Sequence, residues 1–276
     1  MPNLYATPSD VRYSASYEIK SSMDETLIRF LESASRAIDQ HTRRHFYPSL
    51  DTRYFDGPNG GDLLIPDVLS LSSFAADSEN DGTWDGETWT EGTDFYLESL
   101  RDVSAYPKTC IRTTGRGSYS FSRGHRRYKA TGLWGYGNGE SATPWSGLGV
   151  TATVADSTST AVTISAQDVV AAGMLIRCGT EFMEVMSVSG ATATVTRGVN
   201  GSTAAAHSSA DVYQVEYPRM ITQCAVDMCV ESFFNRFDIT TQVGTVAMEG
   251  FNFSRNEEIF WRHLRMISEY RSWDLS

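Results

Sequence analysis

The feature that most constrains this chain is a break in its composition near Gly147. Between Leu148 and Tyr217, 30 of 70 residues are Ala, Ser or Thr, and Pro, Lys and Trp are absent. Short apolar runs recur through this block at Val150–Val154, Ala161–Ile164, Met174–Cys178, Glu181–Val188, Ala191–Thr196 and Val212–Glu216. Links rich in Gly, Ser and Asn separate them, the pattern of short strands in a small β-sandwich or barrel. The block 148–217 therefore reads as a β-domain inserted into a body formed by 1–147 and 218–276.

The body begins with helical periodicity. Leu27, Leu31, Ala34, Ile38 and Phe46 mark one apolar stripe between about Asp24 and Phe46, as an amphipathic helix requires. Ser22 and Glu25 have capping-box spacing, and Pro48 ends the run. Next, Thr52–Asp56, the glycine-rich turn GPNGG and Asp62–Ile65 read as a hairpin, with a third strand at Val68–Ala75. A polar acidic loop follows, then short strands near Phe95–Leu97, Thr109–Thr113 and Arg127–Leu133. After the insertion, Pro218 suits the first turn of a helix reaching about Phe237, with Ile221, Ala225, Met228 and Phe233 on one side. A last helix is expected from Ser254 to about Tyr270, its apolar face holding Phe260, Leu264 and Ile267. No such helix buries its stripe alone. The expectation is an α+β protein: a helical bundle with a β-hairpin and long-loop region, plus the inserted small all-β domain.

Charge and composition exclude several functions. Hydrophobic residues at 41% and charged residues at 21% are ordinary for a soluble globular chain. Thirty-four acidic against twenty-three basic side chains leave −11, the wrong sign for a protein that coats nucleic acid. The longest apolar run, Val169–Ile176, is under half of the ~20 residues a membrane helix needs. The N-terminal MPNLYATPSDVRYS lacks the basic and apolar regions of a secretory signal. Cys110, Cys178, Cys224 and Cys229 have no CxxC spacing and read as free buried thiols.

A search for catalytic chemistry returns little. His41 and His45 are four apart, yet the intervening TRR provides no Glu base and no third ligand is evident. Asp77, Glu79, Asp81 and Gly82 imitate the opening of a calcium loop, but Thr88 stands where a bidentate Glu is needed, so a solvated acidic loop is expected. Neither a phosphate-binding glycine loop nor a GxSxG nucleophile elbow is present. The expectation is a non-enzyme without metal or cofactor. One stretch opposes the acidic balance: Arg112, Arg116, Arg123, Arg126, Arg127 and Lys129 place six positive charges in 18 residues, interleaved with Tyr119, Phe121 and Tyr128. Such a stretch can touch phosphates, contact a neighbouring subunit or lie solvated.

The order of the pieces carries a resemblance. LESASRAIDQHTRRHFYP, then TRYFDGPNGGDLLIPDVLSLSSF, TDFYLE and TGLWGYG, then YPRMITQCAVDMCVESFFNRF, together resemble head–tail connector (adaptor, head-completion) proteins of long-tailed bacteriophages. YATPSDVR is similar to the segment that leads into that family's first helix. The resemblance implies a virion protein of the neck, made in the host cytoplasm, that forms a closed ring of about twelve copies. Its implied partners are the portal protein, tail-side connector, stopper or tail terminator proteins, and passing DNA in transient contact, with no membrane. It assigns portal contact to the C-terminal segment, here Phe260, Trp261, Tyr270, Trp273 and Leu275. Arg116, Arg123, Arg126, Arg127 and Lys129 are then candidates for the DNA channel or a subunit contact. The block GTEFMEVMSVSG…ATVTRGVNGSTAAAH looks like a motif of phage structural domains. Two other readings stay open: a virion binding module whose β-insertion recognises a glycan or surface protein, and a metal-dependent enzyme using the acidic loop or the histidine pair.

Overall fold

From Ser49 to Trp134 apolar side chains alternate with polar ones, and this alternation builds an antiparallel sheet. The computed structural model describes residues 3–15, 18–84, 87–100, 102, 105–115, 120–242 and 261–272. Two compact units emerge, one made of Met1–Arg44, Trp145–Val199 and Thr203–Trp273, the other of His45–Pro144 with Asn200–Ser202. Strand accounts for 39% of the chain and helix for 24%. This corrects the expected helical bundle with a small inserted domain: the protein is mostly β, and part of it is a closed six-stranded barrel. The hairpin expected from Thr52–Asp56 and Asp62–Ile65 does not form: Ser49–Gly57 pairs with Gly124–Trp134, which lies between it and Asp62–Ala76.

The second unit holds β1 (Ser49–Gly57), β2 (Asp62–Ala76), β3 (Glu87–Trp89), β4 (Phe95–Glu98), β5 (Lys108–Thr113) and β6 (Gly124–Trp134). Their order is β1-β6-β2-β5-β4, with β3 also on β2. The long strand β2 changes partners along its length. Asp62–Leu64 pair with β5, whereas Phe74–Ala76 lie between β6 and β3. The register with β5 shifts between Leu64 and Val68, where Pro66 has no N–H to offer a ladder. One cluster of buried side chains unites the strands, including Leu63, Ile65, Phe74, Trp89, Phe95, Ile111, Phe121, Tyr128 and Trp134. Phe74 sits among the aromatic rings, 5.2 Å from Phe95, 5.5 Å from Trp89 and stacked 5.8 Å from Tyr128. Each such side chain stabilises the fold by about 2–3 kcal/mol through burial. Gly57 is required by a close approach: a Cβ there would lie 1.6 Å from the Ser122 carbonyl oxygen.

In the first unit, β7 (Trp145–Val154), β8 (Ala161–Ile164), β9 (Leu175–Cys178), β10 (Glu181–Ser189), β11 (Thr192–Thr196) and β12 (His207–Val215) close as β10-β11-β8-β7-β12-β9. Val150, Ala152, Val154, Val162, Ile164, Ile176, Met183, Ala193, Val195 and Val212 are buried together in its core. A closed barrel of so few strands is narrow, which explains why Ala and Val dominate.

The helices of this unit are α1 (Pro8–Ser14), α2 (Asp24–Thr42) and α3 (Arg219–Gln242). Thr7 and Asp10 form a reciprocal capping box on α1, with Pro8 in its first turn. Leu27, Leu31, Ala34 and Ile38 are fully buried along α2, as the stripe predicts. Yet α2 stops at Thr42, before Phe46, because Arg43 turns left-handed at φ 55°. The Ser22–Glu25 capping box does not form; Ser21–Met23 is a 3-10 turn and Met23 precedes α2 with no side-chain cap. Ile221 and Thr222 donate to the Pro218 carbonyl at the start of α3. Ile221, Cys224, Ala225, Val226, Met228 and Cys229 are all buried, so α3 is covered on more than one face. It packs against α1, α2 and the 3-10 helix Arg265–Tyr270. The expected helix start at Ser254 lies outside the described residues. All four cysteines are buried free thiols, and no helix among the described residues is long and apolar enough to cross a membrane.

Candidate functional site

The basic stretch meets the sheet at β6, and strand alternation divides it. Tyr128, Ala130 and Trp134 point inward, which leaves Arg127 and Lys129 on the other face. A register shift between Phe55 and Gly57 of β1 accommodates extra residues on β6. Within that bulge Arg126 is left-handed at φ 50°, a conformation that costs a side-chain-bearing residue about 1 kcal/mol. Two contacts offset it: the Arg126 N–H donates to Asp56 Oδ1 at 2.7 Å, and its guanidinium lies 4.2 Å over the Tyr54 ring. Trp84 tilts against the same ring at 4.8 Å. Lys129 stands directly across from Tyr54 on β1. The result is a partly exposed face in which Tyr54, backed by Trp84, is flanked by Arg126 and Lys129.

The remaining basic residues are used differently. Arg112 is neutralised by Asp62 at 2.7 and 3.0 Å and by Glu98 at 2.6 Å. These carboxylates raise the affinity of Arg112 for its proton, and Arg112 in turn holds Asp62 below the usual carboxylate range. Arg127 turns to the acidic loop, donating to the Ser78 carbonyl at 3.2 Å. Arg123 is exposed and makes no ion pair among the described residues. His125 meets Asp56 at 2.9 Å on the surface. Asp56 is lowered mainly by the Arg126 N–H, and the nearby His125 adds to the effect. Arg116 lies outside the described residues. Sequence reading missed Tyr54 and Trp84. The outward position of Tyr54 in TRYFDG was a usable signal; Trp84, in a loop, offered none.

At the other end of the chain, Ile267 is wholly buried and Leu264 nearly so. They seat 261–272 against the helices, helped by His263 Nε2 at 2.7 Å from Glu231 and by the Ser272 N–H donating to the Thr42 carbonyl. Trp261 is 55% exposed, with its ring edge-on to His41. Tyr270 is half-buried, and burial raises its phenol pKa. Phe260, Trp273 and Leu275 lie outside the described residues.

The metal readings lose their geometry. With α2 ending at Thr42, His41 and His45 do not share a helix; burial and Arg271 lower the His41 pKa, while His45 packs on Tyr47. The Asp77 carboxylate accepts the backbone N–H groups of Asp81 and Gly82, and Asp81 accepts from Thr83. The calcium-like spacing thus serves the loop's own turn. No group of three or more His, Cys, Asp or Glu among the described residues is arranged to hold a metal.

The motif of the 148–217 block also acquires a local explanation. Glu181, fully buried after the tight β9–β10 turn, accepts from Arg197 Nε at 2.6 Å and Nη2 at 2.8 Å, from the N–H groups of Gly198 and Ala205, and lies 2.8 Å from His207 Nε2. Arg197 in turn donates to the carbonyls of Asp156, Ser159 and Ala205. Burial alone would raise Glu181, but these bonds outweigh it and hold the carboxyl at about 2. GTE, TRG and AAAH are therefore the parts of one satisfied buried network that ties the loops at that end of the barrel. Compared with known proteins, the chain matches no family model, no curated protein and no solved structure.

Proposed function

We propose that this chain is a structural virion protein, a head–tail adaptor that forms a ring beneath the portal, extends the DNA channel and joins the capsid to the tail. It acts by assembly and not by turnover. The observation that carries the reading is the placement of charge. A chain of net −11 exposes Arg123 and sets the exposed Arg126 and the partly buried Lys129 against Tyr54, while Arg112 is cancelled internally. This balance is compatible with a DNA conduit, since each neutralised phosphate adds affinity and a surface with few available cations does not hold passing DNA tightly. The ordered succession of segments resembling phage connectors supplies the class, and the sheet and barrel take the place of the helical bundle expected from the apolar stripes. In this reading the C-terminal segment meets the portal, with the exposed Trp261 as one anchor, since a large aromatic side chain brings contact area at low entropic cost.

Negative-stain imaging and native mass spectrometry of the purified protein, alone and mixed with its portal, test the proposal. Closed rings, or a portal-bound ring, are expected. A protein that stays monomeric in every condition and never binds portal overturns it.

A further inference from the structure

The 148–217 block has two basic side chains, Arg177 and Arg197, and the barrel uses them in opposite ways. Arg197 is committed to Glu181. The side chain of Arg177 makes no ion pair and no hydrogen bond among the described residues. It stands on β9 directly between Phe182 of β10 and Tyr213 of β12. Its guanidinium carbon lies 4.6 Å from the Trp145 ring centre and 4.9 Å from that of Tyr213. Trp145 is itself held in place, stacked on Phe182 at 5.3 Å and 28°. The Arg177 Nε is buried without a partner. Its two terminal nitrogens make no hydrogen bond among the described residues, and on this partly accessible side chain they form the edge offered to a partner.

This arrangement is prepared for binding. The rings have already fixed the Arg177 side chain, so little rotamer freedom remains to be lost when a partner arrives. Two parallel N–H groups on one guanidinium edge match the two oxygens of a carboxylate. A nucleic-acid backbone fits poorly, because polyanion binding needs several cations together. Here a single available cation sits in a block with six acidic residues. Trp145, Tyr213 and Arg177 are all partly accessible, and Trp, Tyr and Arg are the residues that dominate protein–protein contact energies.

We infer that the Arg177 edge, collared by Trp145 and Tyr213, is a docking point for a Glu or Asp side chain of a partner protein, flanked on the partner by apolar residues. This contact does not rest on the adaptor reading, because ring formation and carboxylate binding are measured separately.

The test uses the full-length, nitrogen-15-labelled protein and follows the Arg177 Nε–H resonance. The probes are a capped peptide with one glutamate between leucines, the same peptide with glutamine in its place, and a thymidine oligonucleotide. The glutamate peptide should move the resonance saturably, and the glutamine peptide should bind about tenfold or more weakly. Arg177→Lys, which keeps the charge but loses the fork, should weaken glutamate-peptide binding about tenfold, read from the shifts of neighbouring backbone amides. Equal binding of the two peptides overturns the inference, as does no saturable shift up to about 10 mM peptide. A stronger response to the oligonucleotide than to the glutamate peptide also overturns it. The comparison of peptides on the unmodified protein holds even if the variant fails to fold.

Discussion

Arg197 grips Glu181 side-on, Nε to one carboxylate oxygen at 2.6 Å and Nη2 to the other at 2.8 Å, with both side chains almost wholly buried. A buried pair of this kind adds little beyond a well-packed apolar pair, yet breaking it strands a charge. Arg197→Met should therefore cost about 3–5 kcal/mol in urea unfolding. The same pair sets an acid limit. Glu181 ionises at about 2 in the folded protein against an ordinary 4.5, so its stabilisation is complete above 4.5 and is lost as the pH falls towards 2. Glu181→Gln should remove that part of the acid dependence; an unchanged acid profile would show that the network does not set it.

Glu184, three residues along β10, behaves in the opposite sense. Burial pushes it up to about 7, Glu32 adds to the rise and Arg36 opposes it. The folded protein holds this proton more tightly than the unfolded chain. Stability from the neutral form is full below about 4.5 and is lost as pH rises through about 7. Glu184→Gln should flatten this limb and raise stability by about 2–3 kcal/mol near pH 8, with little change near pH 4. Urea midpoints at the two pH values measure it, and a parallel shift at both would rule out the carboxyl as the cause.

Arg123 just before β6, with Arg126 and the partly buried Lys129 on β6, should give weak, salt-sensitive DNA contact. Replacing Arg123, Arg126 and Lys129 together by Ala should lower low-salt affinity for duplex DNA and reduce the slope of log K against log salt by about 2–3. Circular dichroism should remain unchanged. An identical slope in the triple variant would place the phosphate contacts elsewhere.

The C-terminal segment depends on one fully buried residue. Ile267→Ala should cost about 2–4 kcal/mol and expose 261–272 to earlier proteolysis than in the parent. If cleavage and stability are both unaltered, Ile267 does not hold the segment down.

Local patterns were legible where the interaction itself is local. The stripe on α2 and the helix following Pro218 are written in three- and four-residue spacings, and the short strands of 148–217 in alternation. The sum of these elements is not written locally, because β1 pairs with β6 across nearly the whole unit, Tyr54 opposite Lys129 and Phe55 opposite Tyr128. No residue spacing announces such a pairing. The basic cluster was visible, but not its division. Only the register that sets Asp62, Arg112 and Tyr96 side by side shows that Arg112 is already neutralised.

The sequence alone determined the apolar stripe of α2, the helix after Pro218, the short strands of 148–217, the break in composition near Gly147 and the net negative charge. Those properties depend on neighbours along the chain or on simple sums. Tertiary structure decided that Glu181, Arg197 and His207 form one buried network, that Arg177 is collared with no carboxylate partner among the described residues, and that Tyr54 becomes the platform for Arg126. Each of these depends on side chains from different strands meeting at distances of a few ångströms, and strand pairing, not sequence proximity, sets those distances.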